Sequence, residues 1–154
     1  MGKHIELIAR GICVEGGELL VCVNEEYGYG YMPGGHIEFG ESASTALARE
    51  FQEECGITVV CSPPILGLEL SFEQNGKRRH EVSVVFPVER HDQSTGIKSL
   101  EPDIRFEWWS IESLQTTDLR PSMIRDWIVT KFDHDFKPPT TMEWVSAIDR
   151  SHNP

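Results

Sequence analysis

One stretch of the sequence, residues 33–57, constrains the fold more than any other. It opens with the turn-forming triplet Pro-Gly-Gly and continues into residues 42–55, which contain neither proline nor glycine. Bulky or small apolar residues recur there every four positions: Ala43, Leu47 and Phe51. This spacing predicts a helix with one buried stripe, ended by Gly56 in a left-handed conformation.

The same helix carries three acidic residues on one face. Glu50, Glu53 and Glu54 stand at positions i, i+3 and i+4, so their carboxylates converge and repel one another. A hard cation with oxygen ligands is their natural complement, although an ordinary solvated acidic face has the same local pattern. Arg49 can hold one carboxylate in position, and the freedom of the backbone at Gly35 lets a carbonyl oxygen approach.

The complete pattern distinguishes between these two interpretations. It reads G-x5-E-x7-R-E-U-x-E-E-x-G-U, where U is a bulky apolar residue, and the chain supplies every fixed position: Gly35, Glu41, Arg49, Glu50, Phe51, Glu53, Glu54, Gly56, Ile57. This stretch resembles the Nudix box, with a larger Phe51 than the usual aliphatic residue. The lead-in strands and a late tryptophan-containing strand are also similar to the family, and Gly30 stands where many relatives have Trp. The resemblance implies a Nudix-like α/β/α sandwich with a mixed central sheet and the box as a loop-helix-loop.

The resemblance also implies a chemistry for the box. Such a box binds Mg²⁺ or Mn²⁺ on the pyrophosphate of a nucleoside diphosphate that is linked to another group. Glu50, Glu53 and Glu54 would then be metal ligands together with the carbonyl of Gly35. Either Glu50 or Glu53 would take the proton from the attacking water, and Arg49 would orient Glu50.

Two further acidic positions are implied outside the helix face. Glu41 is expected to support the site at the start of the helix. Some relatives use a glutamate from the loop before the late strand, for which Glu101 is the candidate and Glu107 the competitor. A solvent-exposed loop acid beside Pro102 is the other interpretation of Glu101.

Substrate contacts are harder to predict. The aromatic rings of Tyr31 and Phe72 can stack on a base, and the guanidinium groups of Arg10 and Arg78 can meet phosphates. Packing or plain solvation is the alternative for each of these residues.

The remaining sequence predicts mainly strands. They are expected at residues 4–14, 19–24, 57–61, 65–72, 81–89 and 105–111. A hairpin turn at 15–18 joins the first two, residues 25–35 form a loop, and helices are expected at 112–115 and 122–133. We expect a single domain over residues 1–137, with residues 138–154 as a tail that packs on it, contributes to a dimer interface or hangs free.

Composition narrows the class of protein. The 154 residues are 39% hydrophobic and 25% charged, which is typical of a globular domain. A net charge of -11 argues against a nucleic-acid duplex as partner. No apolar run suggests a membrane helix or a secretory signal, so we expect a cytoplasmic protein. The four cysteines lack a C-x-x-C spacing and are expected to be buried free thiols.

The leading functional hypothesis is a Mg-dependent pyrophosphohydrolase that acts on a small nucleotide: a nucleoside triphosphate, a dinucleotide or a nucleotide sugar. A homodimer stays open. The alternative is a nucleotide-sensing module that binds without hydrolysis, and the third is a protein-interaction fold with a relic box.

Overall fold

Two mixed β-sheets and two α-helices make up the computed structural model, which describes residues 4–91 and 96–148. The strands are β1 (Glu6–Ile12), β2 (Val14–Glu15), β3 (Glu18–Asn24), β4 (Gly30–Tyr31), β5 (Gly34–His36), β6 (Val59–Cys61), β7 (Leu66–Gln74), β8 (Lys77–Arg90), β9 (Ile104–Ser110), β10 (Leu119–Arg120) and β11 (Glu143–Ile148). The helices are α1 (Ala43–Cys55) and α2 (Ser122–Lys131), with a single 3-10 turn at Leu114–Thr116. The predicted mixed α/β fold is confirmed, although the strands divide between two sheets rather than forming the one expected central sheet.

The first sheet has the order β11-β7-β8-β1-β5, with β6 also paired to β8. The second has the order β10-β4-β3-β2, with β9 also paired to β3. The expected opening hairpin is therefore wrong in extent: only residues 14–15 pair with 18–19. β1 lies in the other sheet because β8 and β5 occupy both of its edges.

Other boundaries also differ from the prediction. Residues 25–35 are not one loop, because β4 pairs with β3 and β5 pairs with β1. Gly34 makes the second pairing possible: its φ is 138°, and a Cβ there would collide with the carbonyl oxygen of Ala9. β8 begins at Lys77 rather than 81, since the hairpin at 75–76 is tight, and the expected helix at 112–115 is the 3-10 turn. The tail contributes β11, which pairs parallel with β7 at the edge of the sheet.

The two helices bury separate cores on opposite sides of the strands. The apolar stripe of α1 packs in a cluster with Phe86, whereas the neighbouring Val85 packs in the cluster that contains the buried residues of α2. Adjacent residues of one strand point to opposite faces, so the strands lie between the two helices. Neither helix in the described part of the chain is long and apolar enough to span a bilayer.

Local signals fix the ends of α1. The hydroxyl of Ser42 caps its start by accepting from the backbone N–H of Thr45, at 3.2 Å. Gly56 ends it with a φ of 68°, as the sequence predicts. Both ends are therefore defined by residues within the box, which holds the acidic face in a fixed position beside β5.

Candidate functional site

Arg49 is the centre of the charged cluster on α1. Its guanidinium contacts Glu41 at 2.6 Å, Glu50 at 2.9 Å and Glu53 at 3.2 Å. It also donates to the backbone carbonyl of His36, at 3.0 Å. One side chain thereby ties the helix face to the loop before it, and its ion pairs with Glu41 and Glu50 hold the pKa of Arg49 far above its ordinary value.

Glu50 lies directly against the backbone of Gly35. A Cβ at this position would collide with all three atoms of the Glu50 carboxylate, so a larger residue would displace the carboxylate from this position. The predicted proximity of these two residues is therefore present in the structure. Gly35 lies in β5 opposite Ala9, so a strand rather than a loop presents it.

Glu54 is the most unusual acid of the cluster. Its Oε2 atom is buried and has no hydrogen-bond partner among the residues that the structure describes. Burial, followed by the charge of Glu50, raises the pKa of Glu54 to about 7, although Arg10 and the backbone N–H of Gly34 oppose the shift. A carboxylate in this position requires a cation or a proton to compensate for its lost solvation.

Of the two acids considered as further ligands, Glu101 is the one near the cluster, whereas Glu107 lies on β9. The backbone N–H of Leu100 donates to the carbonyl of Glu54 at 2.7 Å, and the charge of Glu101 contributes to raising the pKa of Glu54. Glu107 instead accepts from Trp109 Nε1 at 2.7 Å and from Arg105. Its commitment to these two donors leaves Glu101 as the better candidate for a further ligand.

These residues suit a hard divalent cation. The available donors are carboxylate oxygens, one of them buried and unpartnered, beside a glycine backbone that the Glu50 carboxylate touches. Within residues 4–91 and 96–148, however, no three carboxylate, imidazole or thiolate groups already converge as a metal cage. Glu50 and Glu53 instead form ion pairs with Arg49, and the Glu53 side chain is 55% exposed.

The cysteines do not enter this site. Cys13, Cys22 and Cys55 are buried free thiols, and Cys61 is half-buried and also free. Burial raises the pKa of the Cys13 thiol to about 12, which makes it unreactive. The prediction of buried free thiols is thus confirmed for Cys13, Cys22 and Cys55, whereas Cys61 is free but only half-buried.

A separate cleft of about 740 Å³ lies on the α2 side of the sheet. Three of the four predicted substrate contacts, Arg10, Tyr31 and Phe72, line it together. Arg78 does not line it and lies exposed on β8. Arg10 belongs to both regions, because its guanidinium lowers the pKa of Glu54 at the cluster and also borders the cleft.

Three residues that line the cleft, Glu81, Asp118 and Arg120, were not predicted from the sequence. Arg120 stacks on the ring of Tyr29 at 4.4 Å and pairs with Asp118 at 2.9 Å. Glu81 lines the same cleft from β8. The signal that could have identified Glu81 is strand alternation, which places it on the face of the buried Val85.

Comparisons with known proteins match the chain to one family. The family model described as the NUDIX domain matches residues 6–128. The chain is 36% identical over 90 residues to the 8-oxo-dGTP diphosphatase of Escherichia coli (strain K12), covering 58% of this chain. It spans only 64% of the length of that relative.

Solved structures with the same fold include a mutator MutT protein from Bacillus halodurans. It superposes with a TM-score of 0.72 at 21% identity, covering 93% of this chain and 89% of that one. A MutT protein from Methanosarcina mazei Go1 gives a TM-score of 0.65 at 25% identity, covering 82% of this chain and 92% of that one. These likenesses extend the match from the box to the whole fold.

Proposed function

The chain belongs to the Nudix family, and from this premise we propose that it is a metal-dependent pyrophosphohydrolase acting on a nucleotide. The bond cleaved is the phosphoanhydride of a nucleoside diphosphate that is linked to another group. The observation that carries the proposal is the unpartnered buried oxygen of Glu54, beside a Glu50 carboxylate that Arg49 holds against Gly35.

The metal would be Mg²⁺ or Mn²⁺, held by Glu50, Glu53 and Glu54, with the carbonyl of Gly35 and Glu101 as further ligands. All of these donors are oxygens, which both cations prefer. When bound, the cation neutralises charge on the phosphate oxygens and lowers the pKa of a water molecule.

The chain's own residues position the reaction. Arg49 fixes the carboxylates of Glu50 and Glu53 through contacts of 2.9 and 3.2 Å, and one of the two accepts the proton of the attacking water. Glu41 fixes Arg49 in turn, since it receives two hydrogen bonds from the guanidinium at 2.6 and 3.2 Å. A base held this rigidly loses little free energy to reorganisation during the reaction.

Within this class we propose a nucleoside triphosphate as the substrate. The cleft carries aromatic rings that suit a base, and Arg10 lies between it and the glutamates, where phosphates would run. The similar Escherichia coli protein is an 8-oxo-dGTP diphosphatase, and this supports the choice of a nucleoside triphosphate.

The test is a product analysis. The protein is incubated with Mg²⁺ and with nucleoside triphosphates, dinucleotides or nucleotide sugars, and the products are identified by mass. We expect a nucleoside monophosphate and pyrophosphate from a triphosphate, with no product in EDTA. Tight nucleotide binding without any product across the panel would contradict the proposal and favour a sensing module.

A further inference from the structure

Glu81 is an acid in a cleft that has to accept an anionic substrate. It lies on β8, opposite Glu6 of β1 and Leu70 of β7, and its side chain is half-buried. It borders the cleft together with Arg10, Tyr31 and Phe72. A carboxylate there repels phosphate, so it requires an explanation in terms of another part of the substrate.

No side chain within residues 4–91 and 96–148 donates a hydrogen bond to the carboxylate of Glu81. Burial and the charge of Glu6 raise the pKa of Glu81. The charges of Arg10, Arg79 and His36 lower it. Glu6 has its own partner, since it pairs with Arg79 at 2.7 Å. Two acceptor oxygens of Glu81 therefore remain available to a ligand in the cleft.

Arg10 divides the combined site into two ends. On β1 it pairs with Gly34, whose backbone N–H donates to Glu54 at one end, and its side chain lines the cleft together with Glu81 at the other. The end near Glu54 has the carboxylates that suit a metal and a phosphate chain, whereas the end near Glu81 has the aromatic rings. A nucleotide that fills both ends directs its base toward Glu81.

Among bases, the one that matches an ionised carboxylate presents two adjacent N–H donors. Guanine does so with its ring N1–H and its exocyclic amino group, which form two parallel hydrogen bonds to a carboxylate. Adenine and cytosine present a donor beside an acceptor, and thymine presents a donor between two acceptors. Each of the other bases therefore directs at least one acceptor toward the carboxylate.

We propose that Glu81 is a specificity-determining residue that selects guanine-type bases by accepting hydrogen bonds from the ring N–H and the amino group. The inference rests on the proposed function, because that function places a nucleotide in the cleft. The inference adds Glu81 as a residue that recognises the base. It predicts a preference for guanine that the catalytic glutamates do not explain.

The experiment measures equilibrium binding of nucleoside monophosphates to the full chain without metal, so that hydrolysis is not required. The probes are dGMP, dIMP, dAMP, dCMP and dTMP, where dIMP lacks the exocyclic amino group. Wild type is expected to bind dGMP about ten- to hundredfold more tightly than the others, which is the usual discrimination of a bidentate contact. Glu81→Gln should weaken dGMP binding by about the same factor and leave dAMP and dCMP within about threefold.

Glu69→Gln is the matched control. Glu69 is also half-buried on the same sheet, but it is adjacent to Leu70 on β7 and so points to the face opposite the cleft. The control should keep the wild-type order of affinities. Thermal unfolding of both variants checks that each is folded.

The outcomes separate this inference from the proposed function. Equal weakening of all five nucleotides in Glu81→Gln, or no preference in wild type, contradicts base selection by Glu81 even if triphosphates are hydrolysed. A dGMP preference that Glu81→Gln removes supports it even if no hydrolysis is found.

Discussion

The acidic cluster of α1 and the aromatic cleft are built in contrasting ways. Most of the cluster comes from one box of adjacent residues, in which Arg49 contacts three glutamates. The cleft is assembled from β1, β4, β7, β8, β10 and the start of α2, most of which are far apart in the chain. The contrast suggests a division of labour in which the cluster sets the reaction and the cleft sets the substrate.

This division predicts that changes in the cluster act mainly on kcat. The largest effect is expected for Glu53→Gln and Glu54→Gln, each of which should lower kcat by roughly 10² to 10⁴, the usual contribution of a positioned base or ligand. Steady-state kinetics with a triphosphate measure it, and Glu18→Gln, which changes an exposed acid at the start of β3, is the control. Near-normal turnover in both folded variants would remove the cluster from the mechanism.

A smaller loss is expected when the positioning residue is changed. Arg49→Lys keeps the charge but cannot reproduce the contacts to Glu41, Glu50 and Glu53 at once, so kcat should fall about ten- to hundredfold. KM should change little, because Arg49 lies outside the cleft. A change confined to KM would show that Arg49 binds substrate directly.

Changes in the cleft should have the reverse signature. Phe72→Leu removes one ring from the lining and should raise KM about five- to fiftyfold, as loss of a stacked base does, while kcat stays within about threefold. Trp144→Leu is the control, since this exposed tryptophan lies on β11 outside the cleft. A fall in kcat with KM unchanged would break the proposed division.

The smallest effect concerns stability, and it follows from the pKa of Glu54 near 7. A raised carboxyl pKa means that the folded state favours the neutral form of Glu54. The resulting contribution to the free energy of unfolding is fully present below the pKa of the unfolded state and is lost as the pH rises through 7. In EDTA, Glu54→Gln should therefore exceed wild type in free energy of unfolding by roughly 1 to 2 kcal/mol at pH 8, with little difference at pH 4.5. Denaturant titrations at both pH values measure it, and equal stabilities at pH 8 would contradict the burial of a charged Glu54.

The same contrast explains which parts the sequence predicts. Glu50, Glu53 and Glu54 converge because of helical spacing alone, and Ser42 and Gly56 mark the ends of the helix locally. The face of the sheet on which the Glu81 side chain lies depends on the register between β7 and β8. A one-residue slip in this register would move the side chain to the opposite face. Likewise β1 leaves its expected hairpin because β5 and β8, far along the chain, occupy its edges. Local patterns predict the cluster, whereas the cleft depends on pairings that no local pattern encodes.

The most direct test of the account is the Mg²⁺ dependence of triphosphate hydrolysis by wild type and by Glu54→Gln. The amount of product formed over time is measured for both proteins under identical conditions. The account predicts wild-type activity that EDTA abolishes and added Mg²⁺ restores, together with a variant that stays at least a hundredfold slower at saturating Mg²⁺. Two results would contradict the central claim that the α1 glutamates hold a catalytic metal. One is wild-type hydrolysis that EDTA does not affect, and the other is a Glu54→Gln variant that hydrolyses the triphosphate as fast as wild type.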